Sequence, residues 1–228
     1  MRRIRGLKII HEDIDVIVIE KEAGLLTCET RRGDERTVEN LLTDYVRKGQ
    51  AKSSKRVFLV HRLDRETSGI MMVAKSEKVQ SYFRDNWNEL TTKIYLARVE
   101  GLIPEDSGVY ESYLAEDENL FVRSVKDPSK GKLARTEWEV ISRDDKTTLV
   151  KISLKSGRKN QIRVHFREAG FPIVGDTKYG NQKKFKHARL NLHAYKLSFI
   201  HPHTKKEVSF ETPLPFFGER GTAGKSIV

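Results

Sequence analysis

His61-Arg62-Leu63-Asp64-Arg65-Glu66-Thr67-Ser68-Gly69 runs without a break into Ile70-Met71-Met72-Val73-Ala74 and is preceded by Val57-Phe58-Leu59-Val60. The two apolar flanks read as strands, so a short polar loop is expected between them. Inside that loop Asp64 has Arg62 and Arg65 within two positions on either side. A carboxylate so placed is expected to stay ionised, because nearby positive charge favours its charged form. Taken alone, Asp64 would read as a loop acid in a surface salt bridge.

Towards the amino terminus, Leu7 to Asp13 and Val16 to Lys21 are β-type runs separated by acidic residues, which predicts a hairpin. Val38, Leu41, Leu42 and Tyr45 recur at helical spacing, and 49–55 is polar and loop-like. Towards the carboxy terminus, Val79, Phe83, Trp87 and Leu90 mark a helix, with Ser76 as its N-cap. Strands are expected at 92–101, 121–125, 136–141 and 148–154, the last two joined as a hairpin through Arg143-Asp144-Asp145-Lys146. Ile162, His165, Phe166 and Ala169 define a helix over 158–170 that stops at Gly170. A strand over 190–199 turns back through 201–206 into 207–210, with His201 and His203 as turn residues and not metal ligands. No repeat, low-complexity tract or linker interrupts the chain. A single domain over 1–217 is therefore expected, with 218–228 a mobile tail that has little to bury.

At 228 residues the chain can build one good-sized core. Its net charge of +11 makes nucleic acid the leading partner class, although charge alone is equally compatible with a solvated basic surface. Cys28 is the only cysteine, which excludes an internal disulfide and any zinc site built from several thiolates. It also lacks the neighbouring histidine and basic setting of a reactive thiol. The basic start of the chain meets His11-Glu12-Asp13 before an apolar signal segment can form. No apolar stretch approaches the ~20 residues that span a bilayer. These features predict a cytoplasmic, soluble protein without a membrane partner.

His-Arg-Leu-Asp-x-x-Thr-Ser-Gly, followed by an apolar strand and Ala74-Lys75, resembles the catalytic motif of the RluA-type pseudouridine synthases. In that family the Asp is the essential residue, which would be Asp64 here. Lys93-Ile94-Tyr95-Leu96-Ala97-Arg98-Val99-Glu100-Gly101 resembles a second motif, whose Tyr lies against the target base. The segment from Leu154-Lys155-Ser156-Gly157-Arg158 through Asn160-Gln161-Ile162-Arg163 to His165 resembles a third, whose second Arg, here Arg163, would pair with the catalytic Asp. Pro172 to Gly180 and Arg189 to Ala194 are similar to the carboxy-terminal signatures. Ser156 replaces the usual Thr and Asn160 the usual His, each keeping a hydrogen-bonding group. Glu22 replaces the Pro of an Asn-Lys-Pro-x-Gly turn at Glu20 to Gly24. Because the chain starts directly with this region, no S4-type RNA-binding domain is expected upstream, and recognition would fall to the catalytic domain itself.

The resemblance implies an α/β (α+β) fold, with a mixed, largely antiparallel sheet flanked by helices and loops and a basic cleft for RNA. It implies isomerisation of a uridine in ribosomal or transfer RNA to pseudouridine. That reaction exchanges no electron and no phosphate, so a carboxylate acting as nucleophile or base needs no cofactor or metal. Arg163 would hold Asp64 ionised and oriented. Tyr95 would give a flipped-out base a flat face. Arg62 would fill the space the base vacates or grip a phosphate, and Leu154 would close the apolar wall. His61 and Arg158 complete the expected RNA-binding set. Without the family pattern, Tyr95 would be strand packing and Arg163 a solvated helix residue. The family usually works as a monomer. The rival reading is a catalytically silent RNA-binding or assembly protein of the same fold. An enzyme of free nucleosides gives no reason for the +11 charge.

Overall fold

In the computed structural model, residues 2–30, 33, 36–50, 52–180 and 188–214 are described. The expected tail at 218–228 lies outside them. The chain opens with three strands, β1 (Arg2–Ile4), β2 (Leu7–Glu12) and β3 (Val16–Lys21), joined as antiparallel neighbours. Helix α1 (Val38–Arg47) follows, its first turn capped by the Thr37 hydroxyl, which accepts from the Asn40 amide. Strands β4 (Phe58–Leu59) and β5 (Ser68–Ala74) bracket the polar loop as the sequence predicts. Ser76 caps α2 (Glu77–Leu90) by accepting from the Val79 amide.

Long strands then dominate: β6 (Thr91–Glu100), β7 (Ser107–Glu116), β8 (Val122–Val125), β9 (Lys132–Arg143) and β10 (Thr147–Leu154). Helix α3 (Gln161–Glu168), β11 (Leu192–Ile200) and β12 (Glu207–Glu211) complete the described chain. Helix α3 begins three residues later than the expected 158. Residues 158–160 form a turn instead, in which Asn160 adopts a left-handed φ of 54° at the N-cap. At the other end Gly170, at φ +88°, follows the cap as predicted. His201 likewise stands in a turn, where its Nδ1 accepts from the His203 and Thr204 amides.

Among the described residues all twelve strands join one sheet, in the order β1-β2-β3-β5-β11-β6-β10-β9-β7-β8, with β12 on β11 and β4 on β5. Every pairing is antiparallel except β5 with β11. Strand β5 is buried on both faces, which explains its unbroken apolar run. Met71 and Val73 pack with Val38 and Leu42 of α1, while Ile70, Met72 and Ala74 pack with Val79 and Phe83 of α2. Burial of each such large side chain contributes about 1.5–3 kcal/mol. Ile162 and Phe166 of α3 cover the other half of the sheet, on Trp138, Val150 and Ile152. Tyr95 touches the cores of both halves. The site therefore lies where the halves meet.

Candidate active site

The loop between β4 and β5 is tied to the segment after β3. The Lys21 ammonium is fully buried and donates to the carbonyls of Glu22, Leu25 and Arg65. Burial pulls its pKa down to about 8, against the opposing pull of the Asp64 and Glu66 charges. The Thr27 hydroxyl donates to the Leu63 carbonyl and accepts from the Leu63 amide, at 2.8 and 3.3 Å. Gly24 donates its amide to the Arg65 carbonyl, and Arg65 Nε donates to the Gly24 carbonyl. Asp64 is thus carried by a loop whose backbone is bonded on both sides.

Arg163 approaches Asp64 from α3. It is 4% exposed, and its Nε and Nη2 donate to the two oxygens of Asp176, each at 2.8 Å. Asp176 is completely buried and also accepts from the amides of Lys178 and Tyr179. The remaining nitrogen, Nη1, donates to the Asn160 side-chain carbonyl at 3.2 Å and lies 3.6 Å from Asp64 Oδ2 and 3.5 Å from Glu66 Oε2. Burial alone would lower the guanidinium pKa, but the bond and charge of Asp176, with Asp64 and Glu66, push it further up. Arg163 is a fixed cation. The dull reading of a solvated helix residue does not survive this burial.

Asp64 keeps 28% of its side chain exposed at the pocket. Burial pushes its carboxyl above the usual range; Arg163 draws it back down and Glu66 raises it further. The sequence suggested Arg62 and Arg65 as its counter-charges, and the structure corrects this. Arg62 extends towards the Cys28 sulfur at 3.9 Å, and Arg65 is spent on the Gly24 carbonyl. Sequence neighbours need not be spatial ones in a loop, where successive side chains diverge.

Tyr95, on β6, lines the same pocket. Burial, and then the Asp64 charge, push its hydroxyl above its ordinary value, so it stays protonated. Leu154 at the end of β10, Leu192 at the start of β11 and Ile162 supply the apolar wall, while Arg62 and Arg158 stand exposed at the mouth. Gln161 shapes the turn below Arg158: its carbonyl accepts from Ser156 and the Arg158 amide, and its amide donates to Arg135 and Thr136. The Ser156 hydroxyl also accepts from the Arg135 amide at 3.0 Å.

His61 is the exception among the expected site residues, because the structure does not bring it into this pocket. Its Nε2 accepts from the Met72 amide at 3.0 Å, and its ring stacks on Trp87. Burial drives its pKa down to about 3, so it stays neutral and acts as a backbone acceptor under α2. Lys21, Glu66 and Asp176 were missed as site residues. All three stand inside quoted motifs, but nothing local assigns any of them a partner.

The family model for RNA pseudouridylate synthase matches residues 15–168. The chain is 38% identical over 222 residues to ribosomal large subunit pseudouridine synthase D of Neisseria meningitidis, covering 92% of this chain and 59% of that protein. It is 36% identical over 211 residues to the uncharacterized RNA pseudouridine synthase YlyB of Bacillus subtilis, covering 92% and 69%. It is 32% identical over 216 residues to the dual-specificity RNA pseudouridine synthase RluA of Vibrio cholerae, covering 93% and 85%. In fold it matches human RNA pseudouridylate synthase domain containing 4, with a TM-score of 0.76 at 24% identity over 93% of this chain and 90% of that one. With most of its length matched at these identities, the chain belongs to the RNA pseudouridylate synthase family.

Proposed function

We propose that the protein isomerises one uridine of a structured RNA to pseudouridine, with Asp64 as the catalytic residue. The observation that carries this reading is the Asp64 carboxylate in a half-closed pocket, 3.6 Å from a guanidinium fixed by Asp176 and beside the Tyr95 ring. The N1 to C1′ bond breaks and a C5 to C1′ bond forms. N1 gains a proton and C5 loses one, so atoms balance without an oxidant or reductant. Tyr95 supplies the face for the flipped base, Leu154 the wall behind it, and Arg62 and Arg158 the contacts to the backbone at the mouth. Arg163 positions Asp64 and balances its charge as the base displaces water. The chain acts as one catalytic domain over 1–217, as a monomer in the cytoplasm, without cofactor or metal. No helix among the described residues is long and apolar enough to cross a membrane. The ribosomal and transfer RNA classes are the substrates to test first, since relatives are named for the large ribosomal subunit.

Asp64→Asn is expected to lower pseudouridine formation on in vitro transcribed ribosomal RNA by at least about 100-fold, with RNA affinity broadly kept. Arg163→Met is expected to be severely impaired as well. Mapping pseudouridines in a deletion strain would then name the site. Normal turnover by folded Asp64→Asn overturns the assignment.

A further inference from the structure

A second groove, of about 490 Å³, opens beside the active-site pocket and shares Gly157 and Arg158 with it. Its rim carries Lys130, Lys132, Arg158 and Lys159. All four are exposed and come from three places: the turn before β9, the first residue of β9, and the turn before α3. The rim is built and not merely a scatter of surface lysines. Arg158 Nε donates to the Leu133 carbonyl, Lys159 is held by Glu116, and Lys130 lies 3.9 Å from Asp127. With both carboxylates counted, the rim still carries two more cations than acids. Another surface groove, lined by Glu39, Glu77, Arg56 and Arg84, is balanced in charge and shares no residue with the active-site pocket.

A nucleotide flipped into the pocket must leave its own strand running across the mouth. The chain on one side of it then passes over Arg158. From there the cationic groove offers the backbone a continuous path. We infer that this groove, rimmed by Lys130, Lys132, Arg158 and Lys159, binds the phosphodiester backbone of the RNA strand next to the flipped uridine. The inference rests on the RNA-modifying function proposed above. Phosphate contacts of this kind fix register and carry no base sequence, so the groove adds affinity and alignment to whatever reads the target.

The test uses the full chain, a uridine-containing single-stranded 12-nucleotide RNA for binding, and in vitro transcribed ribosomal RNA for turnover. The double variant Lys130→Gln/Lys132→Gln removes two exposed cations. It should reduce the slope of log affinity against log salt by about 1.4, the loss expected for two single-strand phosphate contacts. In turnover it should raise KM and leave kcat unchanged, because the active-site pocket is intact. Lys205→Gln/Lys206→Gln removes the same charge from the turn before β12 and should leave the slope unchanged. Equal slopes for the wild type and the Lys130/Lys132 variant overturn the inference. An equal loss in both double variants also overturns it, since net charge alone would then be responsible. If wild type makes no pseudouridine, the proposed function fails, while the binding slopes still decide the groove.

Discussion

Arg163 serves three carboxylates, but not equally. Asp176 takes two of its nitrogens at 2.8 Å, and Asp64 and Glu66 share what is left at 3.5–3.6 Å. Asp64 is therefore left partly uncompensated, which is why burial wins and its pKa rises. The folded protein holds that proton more tightly than the unfolded chain does. The stabilising share is complete below the ordinary value of 3.8 and is lost as pH climbs through the raised one. Asp64→Asn never carries the charge. At pH 7 it should melt at a higher temperature than wild type, and the two should converge on acidification; a wild type more stable at pH 7 would refute this. Asp64, Tyr95 and Arg163, which line one pocket, could each be picked out in the sequence because each sits in a motif of its own. Asp176 could not, because the bidentate pair that fixes Arg163 spans 13 residues and a turn that no periodicity encodes.

At the scale of elements, local pattern was a good guide wherever buried apolar residues gave a strong run or period, as in β3 and β5, which are buried on both faces. The Ser76 N-cap, the 16–21 strand and α1 follow from residue type and side-chain spacing, whereas the Thr37 cap was not read. Strand β7 was missed because Ser107, Val109 and Glu111 face water and Gly108, Tyr110 and Ser112 are only half-buried, leaving little apolar signal. The pairing of β5 with β11 was equally invisible, since Ser68 and His193 are 125 residues apart. One residue shows how tight that contact is. Gly69 sits at φ +119°, and a Cβ there would lie 2.2 Å from the Ala194 carbonyl oxygen. The close approach admits no side chain. Gly69→Ala should cost about 1–3 kcal/mol in backbone strain alone and push β5 off β11. A drop in Tm together with slower pseudouridine formation is the expected pair of results. An alanine variant with wild-type Tm would show that the contact yields freely.

Over the whole molecule, the proposed active site depends on the two halves of the sheet keeping their relation. Asp64 precedes β5, whereas Leu154 and Arg163 belong to the other half, with Tyr95 between their cores. A site assembled across a seam requires the seam to be as stable as its flanks. The expected single domain over 1–217 makes the same demand, and the chain supplies two reporters for it. Trp87 packs on Phe83 and His61 in the first half, and Trp138 packs on Tyr110 and Phe166 in the second. These are the only two tryptophans in the sequence. Trp138→Phe leaves fluorescence to report the first half, and Trp87→Phe leaves it to report the second. In each variant, urea unfolding followed by fluorescence should coincide with unfolding followed by far-ultraviolet circular dichroism, because coincident probes mark one cooperative unit. If the Trp87 signal and the dichroism separate, the halves melt independently. The Asp64 loop could then detach from Arg163 without global unfolding, and activity would be lost at lower urea than the fold.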